Sequence, residues 1–270
     1  MGYIIGSLNA RNFSGLDTHN INKIAEMIRA EEFDIIALQE VRHQRAINFL
    51  LQRLVGWEGY YGKSQSDSDY GKGRDGDYGG LGFAYLWNVK RMRECSKNMQ
   101  PKIIDRFSST ITRKPLYGIF TPSGLGGPSF EIRLINVHLW FGGSYDGGFR
   151  RRINEFELVT DEIYNYYSNH RYGDFMPALT IILGDYNLRI EDTLKYFIKT
   201  IQDEKTTICT TRACYVSDYD HFSYDEKRFS ATKILPSRVD SVSKYLNNDF
   251  EKHWYEISDH VPIKIELILN

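Results

Sequence analysis

Short apolar runs that each close on a polar, chemistry-bearing residue restrict the folds open to this chain. Tyr3 to Leu8 leads to Asn9, and Asp34 to Leu38 leads to Gln39 and Glu40. Phe130 to Leu139 carries His138 near its end, Ala178 to Leu183 leads into Gly184-Asp185-Tyr186-Asn187, and Asp259-His260 stands just before Val261 to Leu269. Runs this short and this rich in Ile, Leu and Val read as buried strands rather than helices. At Gly184 the chain stops and turns, leaving Asp185 and Asn187 two residues apart and pointing the same way, because strand side chains alternate with period two. A carboxylate and an amide so held can orient one water molecule; taken alone, the same residues read as an ordinary strand-end turn, since both are turn formers.

Between these runs, helical spacing places Ile21, Ile24, Ala25 and Ile28 on one face of Thr18 to Arg29, and Ile47, Leu50, Leu51 and Leu54 on one face of Gln44 to Leu54. A longer helix is expected from Phe149 to Tyr167 and a short one from Asp192 to Ile201. Further strands are expected at Leu81 to Trp87, Lys102 to Asp105, Leu116 to Thr121, and around Tyr215 to Ser223 and Arg238 to Val242. Many short strands separated by a few helices favour an α/β (α+β) fold of stacked sheets with helices outside. The chain of 270 residues has no Pro/Ser linker, which favours a single domain over 1–270. Ser64 to Gly80 reads as a long exposed loop. Its Gly71-Lys72-Gly73-Arg74-Asp75-Gly76 matches a dinucleotide fingerprint only in form, because that motif needs a strand before it and a helix after it.

Composition narrows the partners. A net charge of -1 argues against an indiscriminate polyanion-binding domain, so any contact to a polyanion must come from local charge. Lys72 and Arg74 in the Gly-rich loop could supply it, as could Arg150 in the Arg150-Arg151-Arg152 run, which reads equally as the solvated first turn of a helix. No apolar run approaches the roughly 20 residues that span a bilayer. The three cysteines suggest neither a disulfide framework nor a zinc site, and the N-terminus has no signal-peptide pattern, so a reduced cytoplasm and no membrane partner are expected.

Strand ends on one edge of a sheet stack converge, so Asn9, Glu40, His138, Asp185, Asn187, Asp259 and His260 could share one cleft. Few carboxylates with water form a hard-oxygen environment suited to Mg²⁺ or Mn²⁺. Such a group suits attack of water on a phosphate ester, with histidine matched to proton transfer at neutral pH.

The order Asn9, Leu38-Gln39-Glu40-Val41-Arg42, Arg113-Lys114-Pro115, Asn136-Val137-His138-Leu139, Gly184-Asp185-Tyr186-Asn187, Tyr219-Asp220-His221 and Ser258-Asp259-His260 resembles the endonuclease/exonuclease/phosphatase superfamily that contains deoxyribonuclease I. The resemblance covers nearly the whole chain. It implies a four-layer α/β/β/α sandwich and a phosphoesterase dependent on Mg²⁺ or Mn²⁺. It implies that Glu40 holds the metal with help from Asn9 and Asp259, and that Asp185 and Asn187 orient water or phosphate. His138 and His260 would move protons and stabilise the phosphate, with Asp220 orienting His260; Asp240 competes for that last role. The chain departs from the pattern at Gly79-Gly80, where a carboxylate partner of His138 belongs, and Asp77 is the available substitute.

Apurinic endonucleases carry a Tyr-containing segment where this chain has His138. Inositol polyphosphate 5-phosphatases resemble it at Gly184 to Arg189, but their Cys-Asp-Arg signature is absent around Asp220. Arg113 and Glu40-Val41-Arg42 resemble the deoxyribonuclease branch, which implies DNA contacts from Arg11, Arg42 and Arg113. The expectation is a monomeric DNA endonuclease of low sequence specificity, with a regulatory protein partner to restrain it. The alternative is a phosphatase or phosphodiesterase acting on phosphoinositides, sphingolipids or a small phosphorylated molecule.

Overall fold

In the computed structural model, which describes residues 2–15, 19–64, 81–96, 99–106, 111–124, 130–142, 147–169, 178–229 and 232–269, the apolar runs pair into two sheets whose central strands are buried along nearly their whole length. The first half of the chain supplies β1 (Gly2–Phe13), α1 (Ile21–Ala30), β2 (Ile35–Val41), α2 (Gln44–Leu51), β3 (Trp57–Lys63), β4 (Gly82–Asn88), β5 (Met92–Glu94), β6 (Lys102–Ile103), β7 (Leu116–Pro122) and β8 (Glu131–His138). After α3 (Gly148–Glu157), a π-helical segment (Leu158–Tyr164) and α4 (Asn165–Asn169) come β9 (Ala178–Asp185), α5 (Ile190–Thr193) and β10 (Lys199–Ile201). The remainder forms the hairpin β11 (Ile208–Cys209) and β12 (Cys214–Tyr215), then β13 (Asp220–Tyr224), a 3-10 turn (Glu226–Phe229), β14 (Thr232–Arg238), α6 (Ser241–Leu246), α7 (Phe250–Glu256) and β15 (Ile263–Leu269). One sheet has six strands in the order β14-β15-β1-β2-β4-β3; the other has seven, β10-β13-β9-β8-β7-β5 with β6 also on β7.

Three apolar cores hold four layers together. Ile35 and Ala37 of β2 face Leu134 of β8 and Leu183 of β9 between the sheets. Their neighbours Ile36 and Leu38 point outward onto Ile24 and Ile28 of α1 and Ile47 and Leu50 of α2. On the far side, Ile135 and Val137 of β8 pack under Phe156, Val159 and Ile163. Both faces of each central strand are therefore apolar, and the fold is the α/β/β/α sandwich expected from the sequence.

A polar bridge crosses the inner core. Gln39 Nε2 donates to Asn136 Oδ1 at 2.7 Å and to Ser7 Oγ at 3.0 Å, and Asn136 Nδ2 donates back to the Leu38 carbonyl at 3.1 Å. Both amides are fully buried, so the bonds fix the offset of one sheet against the other at a cost to either if broken. Below the first sheet, His253 on α7 is held by the Ser258 carbonyl at Nδ1 (2.8 Å) and by the Ser241 hydroxyl at Nε2 (2.7 Å).

Several sequence expectations give way to pairing. The helix expected over Asp192 to Ile201 is the short α5 followed by a strand, because Lys199, Thr200 and Ile201 pair with Tyr224, Ser223 and Phe222 at the sheet edge. The strand expected at Arg238 to Val242 ends at Arg238; Asp240 accepts from Ser243 N and starts α6. The strand expected over Tyr215 to Ser223 is divided between the hairpin and β13. Strands β3 and β14 and helices α6 and α7 are not among the elements expected from the sequence.

Two outcomes test this framework. A Cβ on Gly184, whose φ is +139°, would lie 2.0 Å from the Val137 carbonyl. Gly184→Ala is expected to lower stability by about 3 kcal/mol or more in urea unfolding, because strain and clash act together. Burial holds the His253 imidazole down at about 4, against roughly 6.5 in the unfolded chain. The unfolded state therefore binds the extra proton first, and stability is expected to fall as pH drops from about 6.5 to 4 and to level off below that. Urea titrations across that range should show a shallower slope in His253→Gln.

Candidate active site

The site forms where the two parallel strand pairs, β1/β2 and β8/β9, reach their carboxyl ends. Register in the second sheet places His138 opposite Asp185 and Asp185 opposite Asp220, so three titratable residues stand in one row across adjacent strands. The first sheet contributes Asn9, opposite Gln39, and then Glu40, where both strands break their regular pairing. Among the described residues, Arg11, Asn12, Glu40 and Asn187 combine a positive φ (44°, 56°, 57° and 50°) with a place on the cleft wall. Non-glycine residues adopt that conformation at a cost, and they concentrate at sites where the chain must aim a side chain.

Asn9 is the hub of the contacts. Its Nδ2 donates to Asp185 Oδ2 at 2.9 Å and to Glu40 Oε1 at 3.2 Å, while its Oδ1 accepts from Arg11 N at 3.0 Å. His138 Nε2 stands 3.6 Å from Asp185 Oδ2 and 3.8 Å from Glu40 Oε1. His260 Nε2 lies 3.8 Å from the same Asp185 oxygen, and its Nδ1 donates to Asp220 Oδ2 at 2.7 Å. Asp220 is itself fixed by Thr206 Oγ1 at 2.6 Å. Asp240 caps α6 and accepts from Tyr215 instead, so the carboxylate on His260 is Asp220. Asn187 N donates to Asp185 Oδ1 at 2.9 Å, and its Nδ2 to the Leu139 carbonyl at 3.1 Å.

The two histidines differ in charge. Burial, with Arg113 and His260 nearby, holds His138 well below its ordinary value, so it is neutral. Burial also works against a charge on His260, but the carboxylates of Asp220 and Asp185 outweigh it and hold that imidazole well above its ordinary value. Burial likewise raises the Asp185 carboxyl, opposed by the His260 charge. His138 Nδ1 is buried and has no hydrogen-bond partner among the described residues. Asp77, its expected substitute partner, lies outside the described residues, as do Lys72 and Arg74.

These side chains floor and wall an open cleft of about 640 Å³. Arg11, Arg42, Arg113 and Asp259 line it. Arg113 is anchored by donating to the Leu139 carbonyl at 2.9 Å, and Arg42 donates to Asn12 Oδ1 at 2.8 Å. The Arg11 guanidinium carbon lies over the Trp254 ring, 3.7 Å from its centroid. Arg150 is exposed on α3 and is not a lining residue. The wall also includes Asn12, Phe141, Thr207, Ile208, Tyr219 and Trp254. Of these only Tyr219 stood in a sequence motif; the others come from segments without periodicity.

Among the described residues, no three of His, Cys, Asp and Glu are arranged to hold a metal ion. The donor set is nonetheless hard and sparse. Among the described residues, each Glu40 oxygen accepts one hydrogen bond, from Asn9 Nδ2 or from Asn12 N. A carboxylate oxygen has two acceptor directions, so one on each remains for a cation or water. This fits a divalent ion that keeps most of its own waters and takes few protein ligands, and not a closed zinc cage. Asn9, as placed, turns its NH2 rather than its oxygen toward Glu40.

Comparison with known proteins follows the same outline. Zebrafish (D. rerio) TDP2 humanized by 14 mutations superposes with a TM-score of 0.64 at 18% identity, over 99% of each chain. D. rerio TDP2 complexed with a single-strand DNA product gives 0.63 at 18%, again over 99% of each. An endonuclease/exonuclease/phosphatase family protein from Bacteroides thetaiotaomicron gives 0.61 at 16%, over 100% of this chain and 98% of that one. Identities this low speak for a shared fold alone. No curated protein matches in sequence. The sequence model of the Endonuclease/Exonuclease/phosphatase family matches residues 6–260, which takes in every strand-end motif from Asn9 to His260, and this chain belongs to that family.

Proposed function

We propose that this protein is a divalent-metal-dependent nuclease that hydrolyses phosphodiester bonds, and that its substrate is DNA, which it nicks with little sequence preference. The observation that carries the reading is the buried Asp185 carboxylate, set between a neutral His138 and a charged His260 and held by Asn9. Family membership supports hydrolysis of a phosphate ester, and the fold it shares with a TDP2 bound to a single-strand DNA product supports a nucleic-acid substrate.

In this reading Asp185, its carboxyl raised by burial to about 7, takes the proton from the attacking water near neutral pH. Asn187, locked to the Asp185 turn and to Leu139, keeps that carboxylate aimed. His260, charged and steadied by Asp220, offers Nε2–H to the phosphoryl oxygens as negative charge develops. His138 presents Nε2 on the other side of Asp185 and serves as a neutral donor. Glu40, with Asp259, would hold Mg²⁺ or Mn²⁺, which supplies charge neutralisation on the phosphoryl group when bound, while Asn9 steadies the Glu40 and Asp185 carboxylates through its NH2 rather than holding the ion itself. Arg11, Arg42 and Arg113, which line the cleft, would grip backbone phosphates, with Arg150 as a contact farther out and Lys72 and Arg74 as further candidates from the sequence. Such contacts position a strand without reading its bases, which accounts for low sequence preference.

Supercoiled plasmid should be nicked in Mg²⁺ or Mn²⁺ and left intact in EDTA. His138→Ala, His260→Ala and Asp185→Asn should each slow nicking by about 10²-fold or more, the usual scale for acid–base groups. Full activity in both histidine variants would overturn the assignment of roles. Absence of nicking with either metal, together with phosphate release from phosphoinositides or headgroup release from sphingomyelin, would replace the nuclease with the lipid-phosphate enzyme.

A further inference from the structure

Two cysteines that belong to no sequence motif are paired across the hairpin that walls the cleft. Cys209 on β11 is the direct antiparallel partner of Cys214 on β12, the closing pair before the turn. Opposed residues in such a ladder have Cα atoms about 4.5 to 5.5 Å apart, inside the roughly 4.4 to 6.8 Å range of disulfides. Both thiols are free and half-buried, so a reagent can reach them. The third cysteine, Cys95, packs at the edge of the outer core of the second sheet, beside Glu131.

The hairpin is tied to the site at its base. Thr206 Oγ1 donates to Asp220 Oδ2, Ile208 N donates to the Asp259 carbonyl at 2.9 Å, and Thr207 bridges His260. Thr207 and Ile208 line the cleft directly. We propose that Cys209 and Cys214 are a reversible dithiol–disulfide pair, a redox modification site that locks this wall of the cleft in its present register.

The order of events follows from the surroundings. The Thr211 hydroxyl, 3.2 Å from Cys209 Sγ, and then Arg212 hold the Cys209 thiol down at about 7, so a large share is thiolate at neutral pH. That thiolate attacks one sulfur of a low-molecular-weight disulfide; the reagent's S–S bond breaks, one reagent thiolate leaves, and a mixed disulfide forms on Cys209. Cys214 then loses its proton to solvent and attacks the Cys209 sulfur, expelling the second reagent thiolate. Two protein thiols are oxidised, and one reagent disulfide is reduced to two thiols.

Arg212 lies between the two cysteines, so trypsin separates the peptides Thr206–Arg212 and Ala213–Lys227 unless a disulfide joins them. The native full-length chain is equilibrated with glutathione disulfide, the remaining thiols are alkylated, and the digest is mapped by mass spectrometry. The expected result is loss of two of the three thiols, an intact mass lower by two hydrogens, and the joined peptide. Reduction with dithiothreitol should restore all three thiols, and C95S should still give the joined peptide. Retention of three thiols, a persistent glutathione adduct on Cys209 or Cys214, or a cross-link through Cys95 would overturn the proposal. No substrate enters this measurement, so its outcome is independent of the nuclease reading.

Discussion

The register across β8, β9 and β13 lines up His138, Asp185 and Asp220, and the chemistry of the cleft depends on that row being held still. A strand slipped by one residue would turn each side chain to the opposite face. Two devices prevent the slip. Gly184 lets β9 approach β8 so closely that no side chain could fit against the Val137 carbonyl. Beneath the row, the Gln39–Asn136 bridge sets the offset of the first sheet, and hence the reach of Asn9 and Glu40 toward Asp185.

Electrostatics then separates groups that would otherwise behave alike. His138 and His260 both flank Asp185, yet burial beside Arg113 leaves the first neutral, while Asp220 keeps the second charged. The backbone follows the same logic, because the left-handed residues Glu40 and Asn187 sit where the chain must turn a polar side chain back toward the cleft. Such strain is tolerated because three packed cores hold the strands from both sides.

The last third of the chain is less regular and supplies the cleft's remaining wall. The Thr206–Ser217 hairpin, α6 and α7 bring Thr207, Trp254 and Asp259 to the rim, with His253 pinning the Ser258 carbonyl and Ser258 Oγ donating to the Asn9 carbonyl at 2.6 Å. This wall carries the paired cysteines, so one short hairpin joins the His260–Asp220 pair to a site open to oxidants.

Read by itself, the chain disclosed the short apolar runs and the polar residues that end them, because a central strand covered on both faces must be apolar along nearly its whole length. The layered architecture followed from that pattern and from family resemblance, as did the gathering of Asn9, Glu40, His138, Asp185 and His260. Weakly patterned segments stayed illegible: Lys199 to Ile201 becomes a strand only because β13 lies beside it, and α6 and α7 are too short to show a face. Family resemblance already favours Asp220 over Asp240 for His260, and the structure sets Asp220 on His260 Nδ1; tertiary structure alone turned the Asn9 amide toward two carboxylates, set Arg11 over Trp254 and placed Cys209 opposite Cys214. Each of these is a contact between segments distant in sequence or across a turn, settled by packing geometry that local residue order does not encode.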